Sequence, residues 1–243
     1  MKKLSTTQLA MSYTGIFLGA GFVSGQELWQ FFACFGPVGL IGFIGTAALF
    51  FYVNYANLRL IQLTGQEDMG RLMTCGDHPK LRAAVSAMQN LLLVGVCIIM
   101  IAGASTLIHQ LLPIPAWLGG LIFTVIVASV ALLGMQGLVA VFSLLVPVTT
   151  VMAVLLAAWV LIKNGFSFAP ANGSVSALMP NWIIGFVTYA AYNLFGTISI
   201  LVPTAKLMDG KKTVRRGLSM GSVLLIVLAW SMICLLYTSD AAD

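Results

Sequence analysis

Gly19-Ala20-Gly21-Phe22-Val23-Ser24-Gly25-Gln26-Glu27 interrupts the first long apolar stretch of the chain near its middle. Three glycines within seven residues weaken a helix, since each interior Gly costs about 1 kcal/mol against Ala. Glu27 is the one carboxylate in any stretch long enough to span a bilayer. In hydrocarbon, backbone groups freed by such a break need new partners, so irregular backbone persists only against protein or a watery cavity. A glycine-rich break beside a buried acid therefore predicts a solute or ion site near the midplane of a membrane.

Composition supports the membrane premise. Of 243 residues, 60% are hydrophobic and 8% charged, with a mean hydropathy of +1.00. Soluble domains carry about 25% charged residues. Apolar windows of spanning length occur at 8–33, 37–61, 81–111, 116–133, 138–162, 181–208 and 217–237. Each reads as a helix, because a barrel would show segments of about ten alternating residues instead. The fold class expected is all-α: a polytopic membrane protein with seven transmembrane helices, spans 1 to 7.

The cations orient it. Lys2 and Lys3 precede span 1, Arg59, Arg71, Lys80 and Arg82 separate spans 2 and 3, and Lys206, Lys211, Lys212, Arg215 and Arg216 separate spans 6 and 7. Only Lys163 falls on the opposite side, so eleven of the twelve agree with a cytoplasmic N-terminus. The expected location is the cell membrane of a prokaryote. The basic balance is thus topological and implies the lipid bilayer as partner, not a nucleic acid. Span 1 lacks the cleavage site of a signal peptide. Cys34, Cys75, Cys97 and Cys234 show no metal-binding spacing and read as small buried apolar residues.

No charge-rich linker divides the chain, which reads as one transmembrane domain over 1–234. Two connections, 64–79 and 164–180, are long enough for structure of their own; the first is expected to carry a surface helix and turn. Residues 235–243 look like a non-native read-through tail on a truncated gene product.

A second segment matches the first. Span 6 carries Thr188, Tyr189, Tyr192, Asn193, Gly196, Thr197 and Ser199 around its middle, a polar density unusual for a lipid-facing helix. At about 1.5 Å per residue, Tyr189–Asn193 and Gly19–Val23 both fall near the midplane of a ~30 Å core. Spans 1 and 6 lie five apart and run in opposite directions. Two interrupted helices so placed point to a 5+5 inverted repeat, the first over about 8–163 and the second beginning at about 181–234. Plain helix packing explains part of the same pattern: Gly15/Gly19, Gly21/Gly25 and the Gly39/Gly42/Gly45 face are small-residue contacts. Packing does not call for Ser24, Gln26 and Glu27 beside them. Pro147 and Pro203 read as kinks, His109 as interfacial, and Trp29, Trp117, Trp159 and Trp182 as anchors at the outer ends of their spans.

With Ala191-Tyr192-Asn193-Leu194 and Leu201-Val202-Pro203, the Gly19–Glu27 motif resembles the YkvI-type membrane proteins, distant relatives of the amino acid–polyamine–organocation superfamily and the sodium-coupled neurotransmitter-symporter fold. The resemblance covers about the first 234 residues and is most specific in span 1. It implies a 5+5 repeat with substrate between spans 1, 3, 6 and 8, and a cation site built from span 1 carbonyls and span 8 hydroxyls. Matched here, those carbonyls belong to Ala20 and Val23. The chain stops after span 7, so the span 8 half of that site is missing.

The expected function is secondary transport of a small, amino-acid-like solute, driven by sodium or protons, with spans 1, 2, 6 and 7 rocking against spans 3, 4 and 5. The candidate solute-binding residues are Gly19, Ala20, Gly21, Phe22, Ser24, Gly25, Glu27, Tyr189, Tyr192, Asn193 and Gly196. No organic cofactor is expected, sodium being the possible coupling ion, and nothing in the chain fixes an oligomeric state. A seven-helix receptor or retinal pigment is the alternative, although 217–237 has no Schiff-base lysine. A membrane enzyme finds no support: no H-E-x-x-H or P-loop occurs, Gly21-Phe22-Val23-Ser24-Gly25 is not G-x-S-x-G, and no carboxylate pairs with Glu27 within a span.

Overall fold

The computed structural model describes residues 3–19, 22, 24–65, 74, 78–165, 179–208 and 210–238. The described residues are helical apart from turns and one isolated bridge between Leu4 and Met208. Span 1 is divided into α1 (Thr6–Phe17) and α2 (Gln26–Phe31), followed by a 3-10 turn, Ala33–Phe35. Then come α3 (Pro37–Thr64), α4 (Pro79–Leu111), α5 (Ala116–Leu132), α6 (Gly134–Asn164), α7 (Trp182–Thr204) and α8 (Gly210–Thr238).

Helices α3, α4, α6 and α8 are long and apolar enough to cross a membrane, and α5 and the first part of α7 are shorter apolar helices. Leu91, Val94, Ile98, Ile99, Leu121, Val125, Leu144 and Leu155 all stand exposed. Patches of that extent are not tolerated in water, so the outer surface is built for hydrocarbon. The protein is a polytopic helical membrane protein.

Local chemistry sets the helix ends. Ser5 opens α1 with a reciprocal cap: its hydroxyl accepts from the Gln8 amide at 3.2 Å, and Gln8 Oε1 accepts from the Ser5 amide at 3.0 Å. Proline occupies the first position of α3 and of α4, where no N–H is needed. His109 Nδ1 pairs with the Ile114 carbonyl at 2.7 Å and closes the turn between α4 and α5. At the end of α6, Lys163 lies over the Trp159 ring, 4.9 Å from its centre.

Two boundaries differ from the hydropathy windows. Helix α8 begins at Gly210, because Lys211, Lys212, Arg215 and Arg216 are good helix formers although too polar for an apolar window. The Gly134–Gly137 connection is the first turn of α6 rather than a loop. Residues 235–238 continue α8, where the Tyr237 hydroxyl donates to the Ala33 carbonyl at 2.7 Å. The remainder of the suspected tail, 239–243, lies outside the described residues, as do most of 64–79 and of 164–180, the surface helix expected there included.

Helix α1 packs against α8 and α6, α3 packs against α7 and α8, and α8 also meets α6. Helices α4 and α5 form a hairpin set to one side, touching α6 through α5 and α7 along a narrow seam of α4. The core of the main group holds Leu9, Tyr13, Phe17, Phe43, Phe50, Tyr189, Leu218 and Leu225. Between α1 and α8 the approach is backbone-close. A Cβ on Gly221 would sit 2.5 Å from Tyr13 Cδ1 and 3.0 Å from the Ala10 carbonyl oxygen. Thr14 Oγ1 donates to the Ala10 carbonyl at 2.9 Å and to that of Gly221 at 3.2 Å, and the Tyr13 and Ser222 hydroxyls are 3.4 Å apart. Small residues permit such crossings in lipid, where dispersion and hydrogen bonds replace the hydrophobic effect. Gly221→Ala should therefore cost about 1–2 kcal/mol through forced displacement of the Tyr13 ring, measured as a lower thermal unfolding midpoint in detergent.

Candidate functional site

The sequence places a break in span 1, and the chain makes one. The last turn of α1 tightens, with the Leu18 amide on the Gly15 carbonyl at 3.2 Å and the Gly19 amide on the Phe17 carbonyl at 2.9 Å. Gly25 then takes φ 79° and ψ −8°, a left-handed conformation that L side chains avoid, and launches α2 in a new direction. Phe17 and Phe22 anchor the two sides of the break. Phe17 stacks on Phe50 at 4.1 Å between ring centres, and Phe22, almost wholly buried, lies 6.4 Å from Phe43. Ser24 and Gln26 are exposed, Gly25 is buried and Glu27 is half-buried. Ala20, Gly21 and Val23, including both carbonyls of the proposed cation site, lie outside the described residues.

Span 6 does not break in its middle. Helix α7 runs without interruption from Trp182 to Thr204, and only past it does the chain tighten into a 3-10 turn at Ala205–Leu207. The expectation of a broken helix around Tyr189–Gly196 is corrected on this point. One glycine, Gly196, costs too little to open a helix. The polar side chains also feed back onto their own helix. Asn193 Nδ2 donates to the Tyr189 carbonyl at 3.1 Å, and Thr197 Oγ1 to the Asn193 carbonyl at 2.6 Å. The polar stripe is real, but it decorates a continuous helix.

The two segments nevertheless meet. Helix α2 turns back over α7, so that the Tyr189 ring sits 5.3 Å from Phe31, 5.0 Å from Phe32 and 5.4 Å from Tyr192, with Phe43 and Phe50 of α3 at 6.5 and 6.3 Å. Phe31 also faces Tyr192 at 5.9 Å. Tilted and edge-on rings at such separations attract each other beyond simple burial. The Glu27 carboxyl lies beside Tyr192 and Tyr189. It closes no bond that satisfies Tyr189, whose hydroxyl is buried with no hydrogen-bond partner among the described residues. A buried hydroxyl left unpaired costs about 1–3 kcal/mol; the Ser12 and Ser143 hydroxyls are left likewise, and what sets Tyr189 apart is its place beside Glu27.

Glu27, Tyr189 and Tyr192 thus form one cluster, with Phe22 linked to it through Phe43, whereas Gly25 faces Leu236 of α8. Asn193 and Gly196 lie further along the same face of α7. Gly196 looks towards Leu92 of α4, and Gly19 towards Met100 of the same helix. Three groups escaped the sequence reading. The aromatic cage of Phe31, Phe32, Phe43 and Phe50 is indistinguishable, by pattern alone, from lipid-facing apolar residues. Gln89 of α4 donates to the Phe195 carbonyl at 2.9 Å, and its signal was an amide, next to Asn90, in a largely apolar window. Asn54 of α3, wholly buried, donates to the Phe50 carbonyl at 2.8 Å and leaves its Oδ1 without a partner among the described residues. No group of three His, Cys, Asp or Glu side chains gathers among the described residues. Cys34 is buried with its thiol on the Gln30 carbonyl, whereas Cys97 faces outward and Cys234 is half-buried.

The class is therefore a multi-pass helical membrane protein with an aromatic-lined, carboxylate-bearing cluster beside a break in its first span. The chain is a relative of the YkvI-type membrane proteins. It is 27% identical over 241 residues to "Uncharacterized membrane protein YkvI" of Bacillus subtilis (strain 168), an alignment covering 96% of this chain and 67% of that protein. It is also 24% identical over 203 residues to "Uncharacterized protein YyaD" of the same organism, covering 81% of this chain and 55% of the relative. No protein-family model matches the chain, and no solved structure does.

Proposed function

We propose that the chain is the core of a secondary active transporter for a small, amino-acid-like solute, coupled to a sodium or proton gradient. The observation that carries this reading is the orphaned Tyr189 hydroxyl, held beside the Glu27 carboxyl at the break in span 1. A structural cluster would pair its polar atoms internally, whereas a binding site leaves one for its ligand.

The packing gives further support. Spans 1, 2, 5, 6 and 7 share one core, span 5 packing on spans 1 and 7 rather than with the expected scaffold, while spans 3 and 4 stand aside as a hairpin. That division suits a bundle rocking against a scaffold, in a seven-span arrangement drawn from a 5+5 repeat with its N-terminus in the cytoplasm of a prokaryotic cell. Sodium, where it is the coupling ion, would use the Ala20 and Val23 carbonyls. The chain spans 67% and 55% of the two relatives' lengths, and the transport cycle is proposed for a protein of their size.

The test is uptake of an amino-acid panel into proteoliposomes under imposed sodium or proton gradients. Accumulation of at least one solute under one gradient is the expected result. Absence of accumulation by folded protein under both gradients would return the cluster to packing. In the same assay Glu27→Gln should preserve folding and change the sodium or pH dependence of uptake, because it removes the only carboxylate within a span. Unchanged rate, affinity and ion dependence would make Glu27 an interfacial acid with no part in transport.

A further inference from the structure

Helix α4 is 33 residues long, and among them Gln89 alone is buried. Its amide nitrogen donates to the Phe195 carbonyl of α7, 106 residues away in sequence, at 2.9 Å. One turn further along the same face, Leu92 Cδ2 lies 4.0 Å from where a Cβ on Gly196 would stand. Two turns beyond that, Met100 Cε lies 2.5 Å from the corresponding position on Gly19. Residues 89, 92 and 100 share one helical face. That face bridges the two segments on which the candidate site is built, ending on Gly196 at one end and Gly19 at the other.

The seam is thin. The most apolar stretch of α4 buries nothing, so little packing resists its separation from α7. What holds it is directional: an amide bonded to a main-chain carbonyl in a medium that offers no substitute partner. A contact that is short on area and held by directional polar bonds can open and re-form without a large change in packing. Once open, the Gln89 amide requires another polar group, which water or a solute in the opened seam would provide.

We propose that Gln89 is the latch between the α4–α5 hairpin and α7, closing the seam beside Gly196 and Gly19 in the state seen here and releasing when the two bodies move apart. The inference rests on the transport reading for the purpose of that motion, yet its test requires no solute. Gln89 acts through the position of α7 and is a positioning residue.

The experiment uses the protein in liposomes with Cys34, Cys75, Cys97 and Cys234 replaced by Ala and Leu92→Cys as reporter, alkylated by a water-soluble maleimide. Gln89→Met keeps the length of the side chain and removes its donor. The expected result is a rise in labelling rate of about three- to twentyfold, the range for an interhelical hydrogen bond in a membrane, with the labelling of a Leu225→Cys reporter in the main core unchanged. An unchanged rate at Leu92→Cys overturns the latch, and so does a rise at both positions, which would mean general loosening. Should Gln89→Met fail to fold, Gln89→Asn, one methylene too short for the 2.9 Å contact, gives the same reading. Uptake by the parent protein with flat labelling would remove the latch and leave the transport reading standing. Faster labelling without uptake would do the reverse.

Discussion

Gly39→Ala is expected to lower stability by about 3 kcal/mol, at the upper end of overpacking costs, and to displace the candidate site with it. Between Phe32 and Gly39 the chain reverses direction through Gly36, with the Phe35 amide on the Phe32 carbonyl at 3.0 Å and the Gly39 amide on the Gly36 carbonyl at 2.9 Å. The Phe32 carbonyl oxygen occupies the space that a Cβ on Gly39 would need. Backbone cannot swing aside as a side chain can, so the reversal itself must open. Phe32 meets Tyr189 edge-on at 5.0 Å, and any shift there passes to the cluster. Gly45→Ala on the same helix is the contrast. A Cβ there would make ordinary contacts with Phe186 at 3.6 Å or more, and the gain in helix propensity of about 1 kcal/mol should leave it neutral or stabilising. Thermal unfolding of both variants in detergent decides the matter, and equal midpoints would refute the account of the reversal.

Tyr189→Phe should move stability and affinity in opposite directions. The variant removes a buried hydroxyl that has no partner among the described residues, relieving about 1–3 kcal/mol of desolvation. The ring, and with it the contacts to Phe31, Phe32, Phe43 and Phe50, is kept. If the solute supplies the missing partner, its apparent dissociation constant should rise about 5–150-fold, the same energy counted in binding. A higher midpoint with unchanged affinity would show that the hydroxyl faces no solute. A lower midpoint would show that it has a structural partner.

Much of this was legible in the residues. Long apolar runs gave the helices, because hydropathy over 20 residues reports directly on what a bilayer will accept. The break at Gly19–Gly25 was legible because glycine weakens a helix wherever it occurs. The continuity of α7 was not: Asn193 and Thr197 look like breakers in a list of residues, and become helix-compatible once each bonds the carbonyl one turn back. Glu27, Tyr189 and Tyr192 stood out individually as polar groups in apolar surroundings, and the fold joined them. The aromatic cage and Gln89 were hidden for a different reason. Their significance lies in partners far away along the chain, and no local period encodes a contact across 106 positions.

The Leu4 amide donates to the Leu207 carbonyl at 2.7 Å, and the helix that starts there packs along α8. During synthesis the first helix reaches the bilayer long before this partner exists. Ser12, Tyr13 and Thr14, buried in the finished protein, must wait in lipid or against an insertion factor until some two hundred further residues have been translated, at about 5–20 residues per second. The opening helix can meet α6 earlier, but its packing is complete only when α8 arrives. Biogenesis of this protein should be most vulnerable over that interval, when its first helix is inserted without α8. Slowing translation upstream of Gly210 would lengthen the exposure, and quality-control proteolysis of the nascent chain should rise with it.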